Sequence, residues 1–408
     1  MEKVCILGLG YIGLPTAAVM AAHGYKVIGV DVKPEVIDTI NAGKIHIVEP
    51  DLDKAVKTAV ESGNLRASLT PEEADAFIIA VPTPFIENHH APVAERYKAD
   101  MRYVRKAAET VAKYLKAGDV VILESTSPIG ATRADVAEVI EAARPDLKGQ
   151  LHIAHCPERV LPGKVLFELI ENSRIVGGLT PEATKKAADI YRRFVKGAIL
   201  ETTAETAEMA KLTENAFRDV NIAFANELSL ICETLGINVW ELIRLANHHP
   251  RVNILNPGPC VGGHCIAVDP WFIVAAAPEE SRLIQTARLV NDGKPTWVVD
   301  KVKEAAAKEK QPVVALLGLA YKPDVDDLRE SPSVTIAKAL KGNVNARIVV
   351  CEPYVKQFED FEMADLDSAL DAANIVVMLT DHTPFKAISP ERLKNKQVID
   401  TRGTFDGR

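Results

Sequence analysis

The stretch Val4-Cys5-Ile6-Leu7-Gly8-Leu9-Gly10-Tyr11-Ile12-Gly13 decides the fold class of this 408-residue chain. A short apolar strand pattern runs directly into three glycines spaced Gly-x-Gly-x-x-Gly, and a helical pattern follows to about His23. In such a unit Gly8 permits the tight turn, Gly10 lets a ligand approach the backbone, and Gly13 allows the helix to pack closely. The stretch therefore predicts the first half of a Rossmann-like α/β domain.

An acidic residue, Asp31, ends the next strand pattern, about 20 residues after the glycines. A carboxylate at this position accepts hydrogen bonds from a ribose 2'-hydroxyl and repels a 2'-phosphate, while the helix N-terminus after the glycines attracts a pyrophosphate. The pattern therefore favours NAD over NADP. The alternatives are a glycine turn that binds FAD or nothing, and an Asp31 that merely caps a helix.

Three parts of the chain differ in pattern. Up to about Leu200, short β-branched runs alternate with helical stretches, which predicts a doubly wound parallel sheet. Residues 203–235 contain neither Gly nor Pro and keep apolar side chains at helical spacing, so one long helix should end at Gly236. After Pro312 the strand and helix alternation returns. The expected fold is α/β, with two Rossmann-like doubly wound domains joined by a central helical domain; the expected bounds are 1–200, 201–308 and 309–408.

Composition limits the partners. A formal net charge of -8 and a pI near 5.8 argue against nucleic acid and anionic membranes, which require a concentrated basic surface. No apolar run reaches the roughly 20 residues that cross a bilayer, and the N-terminus shows no export-signal pattern. Six scattered cysteines indicate reduced thiols. A cytoplasmic protein is expected.

A loop rich in glycine and proline, residues 256–270, carries the strongest nucleophile candidate. Cys265 follows Gly262 and Gly263, and Asp269 comes four residues later. A thiol becomes nucleophilic beside a cation, a helix N-terminus or hydrogen-bond donors, whereas many cysteines are simply small buried hydrophobes. A metal site built on Cys260, Cys265 and the nearby histidines is not expected, because the spacing resembles no common zinc pattern.

The long helix presents a second candidate. Lys211, Asn215 and Arg218 fall at i, i+4 and i+7, so one face offers an ammonium, an amide and a guanidinium. Such a face suits an oxyanion and a phosphate. The alternative is a solvated stripe in which Glu208 and Glu214 serve as ion-pair partners.

Further candidates lie where strand patterns end. Ser125-Thr126 and the cluster His155-Cys156-Pro157-Glu158-Arg159 follow strands, where open α/β sheets bind ligands. His248 to Arg251, and Tyr321-Lys322 with Arg329, supply basic groups suited to diphosphate oxygens, although each basic side chain taken singly is more often a surface charge.

Together these motifs resemble the UDP-glucose/UDP-N-acetylmannosamine dehydrogenase family along essentially the whole chain. Besides the glycine loop, the resemblance is carried by Val81 to Pro84, Glu124 to Thr126, Pro157 to Gly163, Lys211 with Asn215, Gly263-His264-Cys265, Gly318 to Pro323 and Arg329 to Ser331. Gly-Gly-His-Cys followed by Ile266 to Phe272 is similar to the members that act on N-acetylmannosamine, since UDP-glucose enzymes usually carry a serine before the nucleophile. Cys260 stands where glycine is expected, and its oxidation is expected to disable the loop.

The resemblance implies an NAD-dependent four-electron oxidation of a UDP-sugar's primary alcohol. Cys265 would be the nucleophile, Lys211 would handle the proton and the oxyanion, Asn215 and Asp269 would support them, and Glu158 or Asp269 would position the hydrolytic water. The implied NAD contacts are Gly8, Gly10, Tyr11, Ile12, Gly13, Asp31, Thr83, Thr126 and Arg329. The implied UDP-sugar contacts are Arg159, Val160, Lys211, Asn215, Arg218, His249, Arg251, Gly262, Tyr321 and Lys322. A homodimer or larger homo-oligomer that pairs through the long helix is also implied, with Arg251 reaching the partner's site.

Other functions remain compatible with these residues. The sugar could be UDP-N-acetylglucosamine or UDP-glucose. A two-electron dehydrogenase of the 3-hydroxyacid or 6-phosphogluconate kind shares a Rossmann domain and a Lys/Asn pair on a central helix, but needs no cysteine. A non-catalytic NAD-binding module could use its cysteines as redox switches.

Overall fold

The computed structural model describes residues 2–88, 91, 97–161, 163–263 and 265–405. The chain divides into two compact units, one made of residues 1–214 with 271–277 and the other of residues 215–270 with 278–408. Each unit contains its own sheet and its own cores.

The first unit is built on an eight-stranded sheet in the order β10-β9-β8-β7-β4-β1-β2-β3. Its strands are β1 (Lys3–Leu7), β2 (Lys26–Val30), β3 (Leu65–Ser68), β4 (Ala76–Ile79), β7 (Val120–Leu123), β8 (His152–His155), β9 (Arg174–Gly178) and β10 (Ile199–Thr203), with a separate hairpin of β5 (Phe85–Glu87) and β6 (Tyr97–Ala99). Every residue of β4 and β7 is buried, as expected for central strands covered on both faces.

One part of this sheet differs from the all-parallel arrangement that the sequence predicts. The β8 and β9 strands are antiparallel, with Ala154 opposite Gly178 and His155 opposite Gly177, whereas β10 runs parallel to β9. The connection from β8 to β9 contains one helix of seven residues, whose Val165 and Leu169 join the core beside the first helix. An antiparallel neighbour needs no crossover of the sheet, whereas a parallel neighbour requires one, usually through a helix.

Helices cover both faces of the first sheet and enclose two apolar cores. They are α1 (Gly13–Ala22), α2 (Pro34–Asn41), α3 (Leu52–Glu61), α4 (Arg102–Ala112), a π-helical stretch (Thr132–Ala137) leading into α5 (Glu138–Ala143), a 3-10 turn (Pro145–Leu147), α6 (Val165–Glu171) and α7 (Pro181–Tyr191). The helix α1 is apolar all round, because it lies between the sheet and α3 and α6.

The predicted long helix is α8 (Ala204–Leu235), 32 residues that contribute first to one unit and then to the other. It ends where predicted, since Gly236 has a φ of 68°, a left-handed conformation that favours glycine. Next come α9 (Val239–Ala246), α10 (Asp269–Ala276) and α11 (Arg282–Ala306). None of the helices in the described part of the chain combines the length and apolar character that crossing a bilayer requires.

The second unit carries the other sheet, five parallel strands in the order β13-β12-β11-β14-β15. The strands are β11 (Val313–Leu317), β12 (Arg347–Cys351), β13 (Glu362–Met363), β14 (Ile375–Met378) and β15 (Gln397–Asp400), and the helices are α12 (Pro332–Asn343), α13 (Leu366–Ala372) and α14 (Pro390–Leu393), with a 3-10 turn over Thr383–Ala387. The return of strand and helix alternation after Pro312 is confirmed.

Candidate active site

The glycine loop has the geometry that the sequence predicts. Gly8 has a φ of 90°, and a Cβ there would lie 2.5 Å from the Ala80 carbonyl oxygen. A Cβ on Gly13 would lie 1.8 Å from the Gly8 carbonyl oxygen. Only glycine at these two positions therefore lets the loop and α1 pack this closely. Over Gly10 no described atom lies within 4 Å of that position. This opening beside a helix N-terminus fits the pyrophosphate of a dinucleotide.

Asp31 lies against this loop. Its Oδ2 accepts a hydrogen bond from Leu9 N–H at 3.0 Å, and its Oδ1 accepts one from Lys33 N–H at 3.1 Å. Asp31 therefore caps the following turn and also places a carboxylate at the glycine loop, where a ribose binds in this fold. Of the other residues expected here, Tyr11 is 44% exposed and Ile12 immediately precedes α1.

Two further expected NAD contacts, Thr83 and Thr126, lie together. The Thr83 hydroxyl donates to the Thr126 carbonyl at 2.7 Å, and the Ser125 hydroxyl donates to the Val81 carbonyl at 2.7 Å. The loops that follow β4 and β7 are therefore joined at the carboxyl edge of the sheet, which is where an open α/β sheet binds its ligand.

Glu208 fixes the continuation of this loop and was not predicted to do so. Its carboxylate accepts from Gly130 N–H at 2.6 Å, from Thr132 N–H at 2.7 Å and from the Thr132 hydroxyl at 2.6 Å. Burial raises the pKa of Glu208, and these hydrogen bonds oppose that rise. The alternative that this face of α8 is a solvated stripe is therefore wrong for Glu208. This residue is buried, one helical turn before Lys211.

The sheet edge also carries Glu158 and Arg159. Glu158 is 8% exposed and accepts from Arg174 Nη2 at 2.6 Å and from Arg159 N–H at 2.6 Å. The Arg159 guanidinium pairs with Glu214, with Nε 3.1 Å from Oε2, and donates to the Ser173 carbonyl. Arg159, expected to bind the substrate, thus has an acidic partner within its own unit.

The loop that carries Val160 is held by Glu49, a residue that no sequence pattern singles out. Glu49 is 5% exposed and accepts from Gly163 N–H at 2.9 Å and from Val165 N–H at 2.8 Å. Val160 itself packs against the core, and Pro162 of the same motif lies outside the described residues. In the same segment His155 is wholly buried, and burial lowers its pKa to about 3, so it stays neutral.

On α8, Lys211 is half-buried, Arg218 is exposed, and Asn215 has a defined partner. Asn215 Nδ2 donates to Asp269 Oδ2 at 2.6 Å, and Asp269 is 3% exposed. The structure therefore brings together the two residues expected to support the nucleophile.

Cys265 lies on the turn that leads into α10. Its carbonyl accepts from the N–H groups of Val268 and Asp269, at 3.0 and 2.8 Å. Among the six cysteines, all within the described residues, Cys265 alone is exposed. Burial raises the pKa of the half-buried Cys260 thiol to about 12, which disfavours its thiolate. The expected effect of Cys260 oxidation on the loop stays a prediction. His264 of the same motif lies outside the described residues.

The glycines before Cys265 are required by packing. A Cβ on Gly262 would lie 2.6 Å from Pro332 Cδ and 3.0 Å from Tyr321 Cβ. Gly263 has a φ of 87°, and a Cβ there would lie 3.3 Å from the Tyr321 ring. Tyr321, expected to bind the substrate, therefore also supports the cysteine loop. Lys322 Nζ lies 5.7 Å from the centre of the same ring.

The remaining expected contacts are basic residues in the second unit. His249 and Arg251 are exposed after α9, and His249 Nδ1 accepts from Arg251 N–H at 3.3 Å. The Arg329 guanidinium makes a bidentate pair with Asp327, at 2.9 and 2.7 Å. Their roles toward UDP-sugar and NAD remain predictions.

A glycine loop built for a dinucleotide and an exposed thiol in a glycine-lined turn define an NAD-dependent oxidoreductase. Residues 2–195, 205–293 and 315–407 match in turn the NAD binding domain, the central domain and the UDP binding domain of the UDP-glucose/GDP-mannose dehydrogenase family. The chain belongs to this family and has its three-domain fold. The resemblance seen in the motifs and the assignment of NAD are confirmed.

Similar proteins cover the whole chain. A UDP-N-acetyl-D-mannosamine dehydrogenase of Yersinia pestis is 54% identical over 425 residues, spanning 99% of each protein. An NDP-N-acetyl-D-galactosaminuronic acid dehydrogenase of Ralstonia nicotianae is 53% identical over 419 residues, spanning 100% of this chain and 97% of that one. A solved UDP-N-acetyl-mannosamine dehydrogenase of Staphylococcus aureus is 41% identical with a TM-score of 0.86, covering 100% of this chain and 96% of that one.

Proposed function

We propose that the chain oxidises UDP-N-acetyl-D-mannosamine to the corresponding uronate, with two NAD reduced per sugar. The observation that carries the proposal is the exposure of Cys265 beside two glycines, while the other cysteines are buried or half-buried. The similar proteins named for N-acetylmannosamine support the choice of sugar. We place the reaction in the cytoplasm and the product in surface polysaccharide synthesis. The bounds 1–200, 201–308 and 309–408 are proposed for the three domains.

The chemistry follows from a thiol nucleophile. When bound, NAD accepts one hydride in each of two oxidations. After the first, the Cys265 sulfur adds to the carbonyl carbon of the aldehyde and forms a thiohemiacetal. The second leaves a thioester on Cys265, and water adds to it, expelling the thiolate and releasing the carboxylate. The covalent step keeps the aldehyde bound.

The helix and loop residues have defined tasks in this proposal. Lys211 takes the alcohol's proton and stabilises negative charge on the reacting oxygen. Asn215 fixes the Asp269 carboxylate through their 2.6 Å hydrogen bond, and Asp269 begins the helix that follows Cys265. Glu158 or Asp269 positions the hydrolytic water.

The sugar is tested by counting NADH. We expect two NADH per UDP-N-acetylmannosamine consumed, and a kcat/KM at least about tenfold higher than for its gluco epimer, because the two sugars differ in the configuration of the acetamido group and a misplaced acetamido group leaves a buried polar group unpaired. The assay compares UDP-N-acetylmannosamine, UDP-N-acetylglucosamine, UDP-N-acetylgalactosamine and UDP-glucose. The galacto sugar is included because a similar protein is named for a galactosaminuronate.

The same assay separates the other functions. One NADH per sugar would support a two-electron dehydrogenase of the 3-hydroxyacid kind. NAD binding without product from any UDP-sugar would support a redox-sensing module. A higher kcat/KM for another sugar of the panel would support the same reaction with that sugar as the substrate.

An exposed apolar stripe on α8 supports a homodimer. Phe217, Phe224 and Ile231 are spaced by seven residues and are 70%, 52% and 46% exposed, and Leu235 continues the stripe at 65%. Side chains at this spacing lie along one side of a helix and pack against a second helix in a seam. We propose that a second copy of the chain covers this stripe.

The double substitution Phe217→Asp/Phe224→Asp is expected to convert the dimer into a monomer, because two charges would have to be buried in the seam. Sedimentation velocity measures the mass. Phe167→Asp is the matched control, since Phe167 is 65% exposed on α6, which is not part of the stripe, and should leave the mass unchanged. An unchanged mass for the double variant would place the interface elsewhere.

A further inference from the structure

Arg174 is a buried cation held between two carboxylates. The residue is 4% exposed, and its Nη2 donates to Glu158 Oε2 at 2.6 Å, while its Nη1 donates to Glu124 Oε1 at 3.0 Å. Neither carboxylate is more than 8% exposed. The guanidinium charge is stable at this buried position only because the two carboxylates compensate for its lost hydration.

The reversed strand β9 brings Arg174 to this place. Ala154 pairs with Gly178 and His155 with Gly177, so the same antiparallel register, continued beyond the strand, sets Glu158 opposite Arg174. A parallel β9 would carry its first residue to the other edge of the sheet. The reversal therefore places a guanidinium at the carboxyl edge, where β7 ends before Glu124 and β8 ends before the Glu158 segment.

The surroundings leave Arg174 little freedom. Its guanidinium carbon lies 4.8 Å from the centre of the Tyr191 ring, and its Nη1 lies 3.5 Å from Cys156 Sγ. Tyr191 in turn donates to Glu124 Oε1 at 3.2 Å. These neighbours fix the plane of the guanidinium, and hence the direction in which Glu158 is held.

The two carboxylates differ in what they can do. Glu124 is fully buried, its Oε1 accepts from Arg174 and Tyr191, and its Oε2 faces the Thr16 hydroxyl at 3.5 Å. Burial raises the pKa of Glu124 to about 7, with Arg174 opposing the rise and Glu158 adding to it. Glu158 has one hydrogen bond on each oxygen, which leaves each oxygen able to accept another.

We infer that Arg174 is the positioning residue that fixes the Glu158 carboxylate for its part in the proposed hydrolysis of the Cys265 thioester. This inference rests on the proposed function. In the step, Glu158 accepts a proton from water as the water oxygen bonds to the acyl carbon. The carbon–sulfur bond breaks, the electron pair leaves with Cys265 as thiolate, and the acid is released. Glu124 serves as the second counter-charge and takes no part in the reaction.

Four variants test this inference. Arg174→Met removes the guanidinium that holds Glu158. Arg174→Lys keeps the positive charge but loses the two Nη groups with which the guanidinium holds both carboxylates. Glu124→Gln keeps the bond between Arg174 and Glu158 and is the matched control. The double variant Glu124→Gln/Arg174→Met removes one positive and one negative charge from the cluster, so it leaves one uncompensated carboxylate fewer than Arg174→Met while Glu158 still lacks its guanidinium partner.

The readouts are rapid-quench NADH release and intact mass after quenching. In Arg174→Met and in the double variant we expect a burst of two NADH per active site, then steady turnover slowed by about 100-fold, with the thioester mass on Cys265. Arg174→Lys should restore part of the steady rate. Glu124→Gln should show no more adduct than the native chain.

Slow turnover of the double variant without burst or adduct would overturn the inference, as would hydrolysis at the native rate. If Arg174→Met is recovered unfolded, the NADH burst and the thioester mass of the double variant test the inference instead. A native chain that yields one NADH per sugar and never an adduct would instead disprove the proposed function.

Discussion

Cys265→Ser will lose the second oxidation: we expect uronate formation to fall by about a thousandfold or more, because a serine hydroxyl is a far weaker nucleophile toward the aldehyde at neutral pH. Cys265 is the exposed thiol of the chain, and its loop is shaped by Gly262 and Gly263 against Tyr321. The measurement is the ratio of NADH to uronate, together with the mass of the quenched protein.

The matched control is Cys260→Ser. Cys260 lies five residues earlier in the same loop, but burial raises its thiol pKa to about 12, so it supplies almost no thiolate. We expect this variant to keep the native stoichiometry and its covalent adduct. Full two-step turnover by Cys265→Ser, or loss of the adduct in Cys260→Ser alone, would contradict the assignment of the nucleophile.

Local patterns predicted much of this fold. The strand, the glycine loop, the helix and Asp31 follow one another closely in the sequence, so local patterns predict that they lie together. The structure places them together, with Asp31 accepting a hydrogen bond from Leu9 N–H. The helix α8 was predictable from its spacing and from Gly236. Cys265 was predictable as a candidate because glycines beside a thiol let a substrate approach it closely. Its greater exposure than Cys260 is seen only in the structure.

The direction of β9 and the partners of the buried charges could not be predicted. A short apolar strand reads the same in either direction, so Arg174 gave no sign of which sheet edge it would occupy. Glu49 and Glu208 likewise look like surface carboxylates in the sequence. Each is buried because it accepts backbone N–H groups from a loop more than 70 residues away, at Gly163 and at Gly130. Such pairings depend on tertiary structure and leave no periodic signal.

Lys211→Met is expected to lower kcat by about 100- to 1000-fold with little change in the KM for UDP-sugar, because charge on the reacting oxygen develops mainly in the transition state. Lys211 lies one helical turn after Glu208, whose three hydrogen bonds fix this part of α8 to the loop at Thr132. Steady-state kinetics measure the split between kcat and KM. Lys185→Met is the control, since Lys185 is an exposed lysine on α7 and should leave both constants unchanged.

Lys211→Arg separates the two tasks proposed for this ammonium. Arginine keeps a positive charge but does not give up its proton below a pH of about 12, so it can stabilise an oxyanion without accepting the alcohol's proton. We therefore expect Lys211→Arg to recover only the electrostatic part of the lost rate and to lie between Lys211→Met and the native chain. Native activity in Lys211→Arg would assign the residue to charge alone. A Lys211→Met variant within about threefold of native would remove Lys211 from the reaction, since both proton transfer and oxyanion stabilisation contribute more than that.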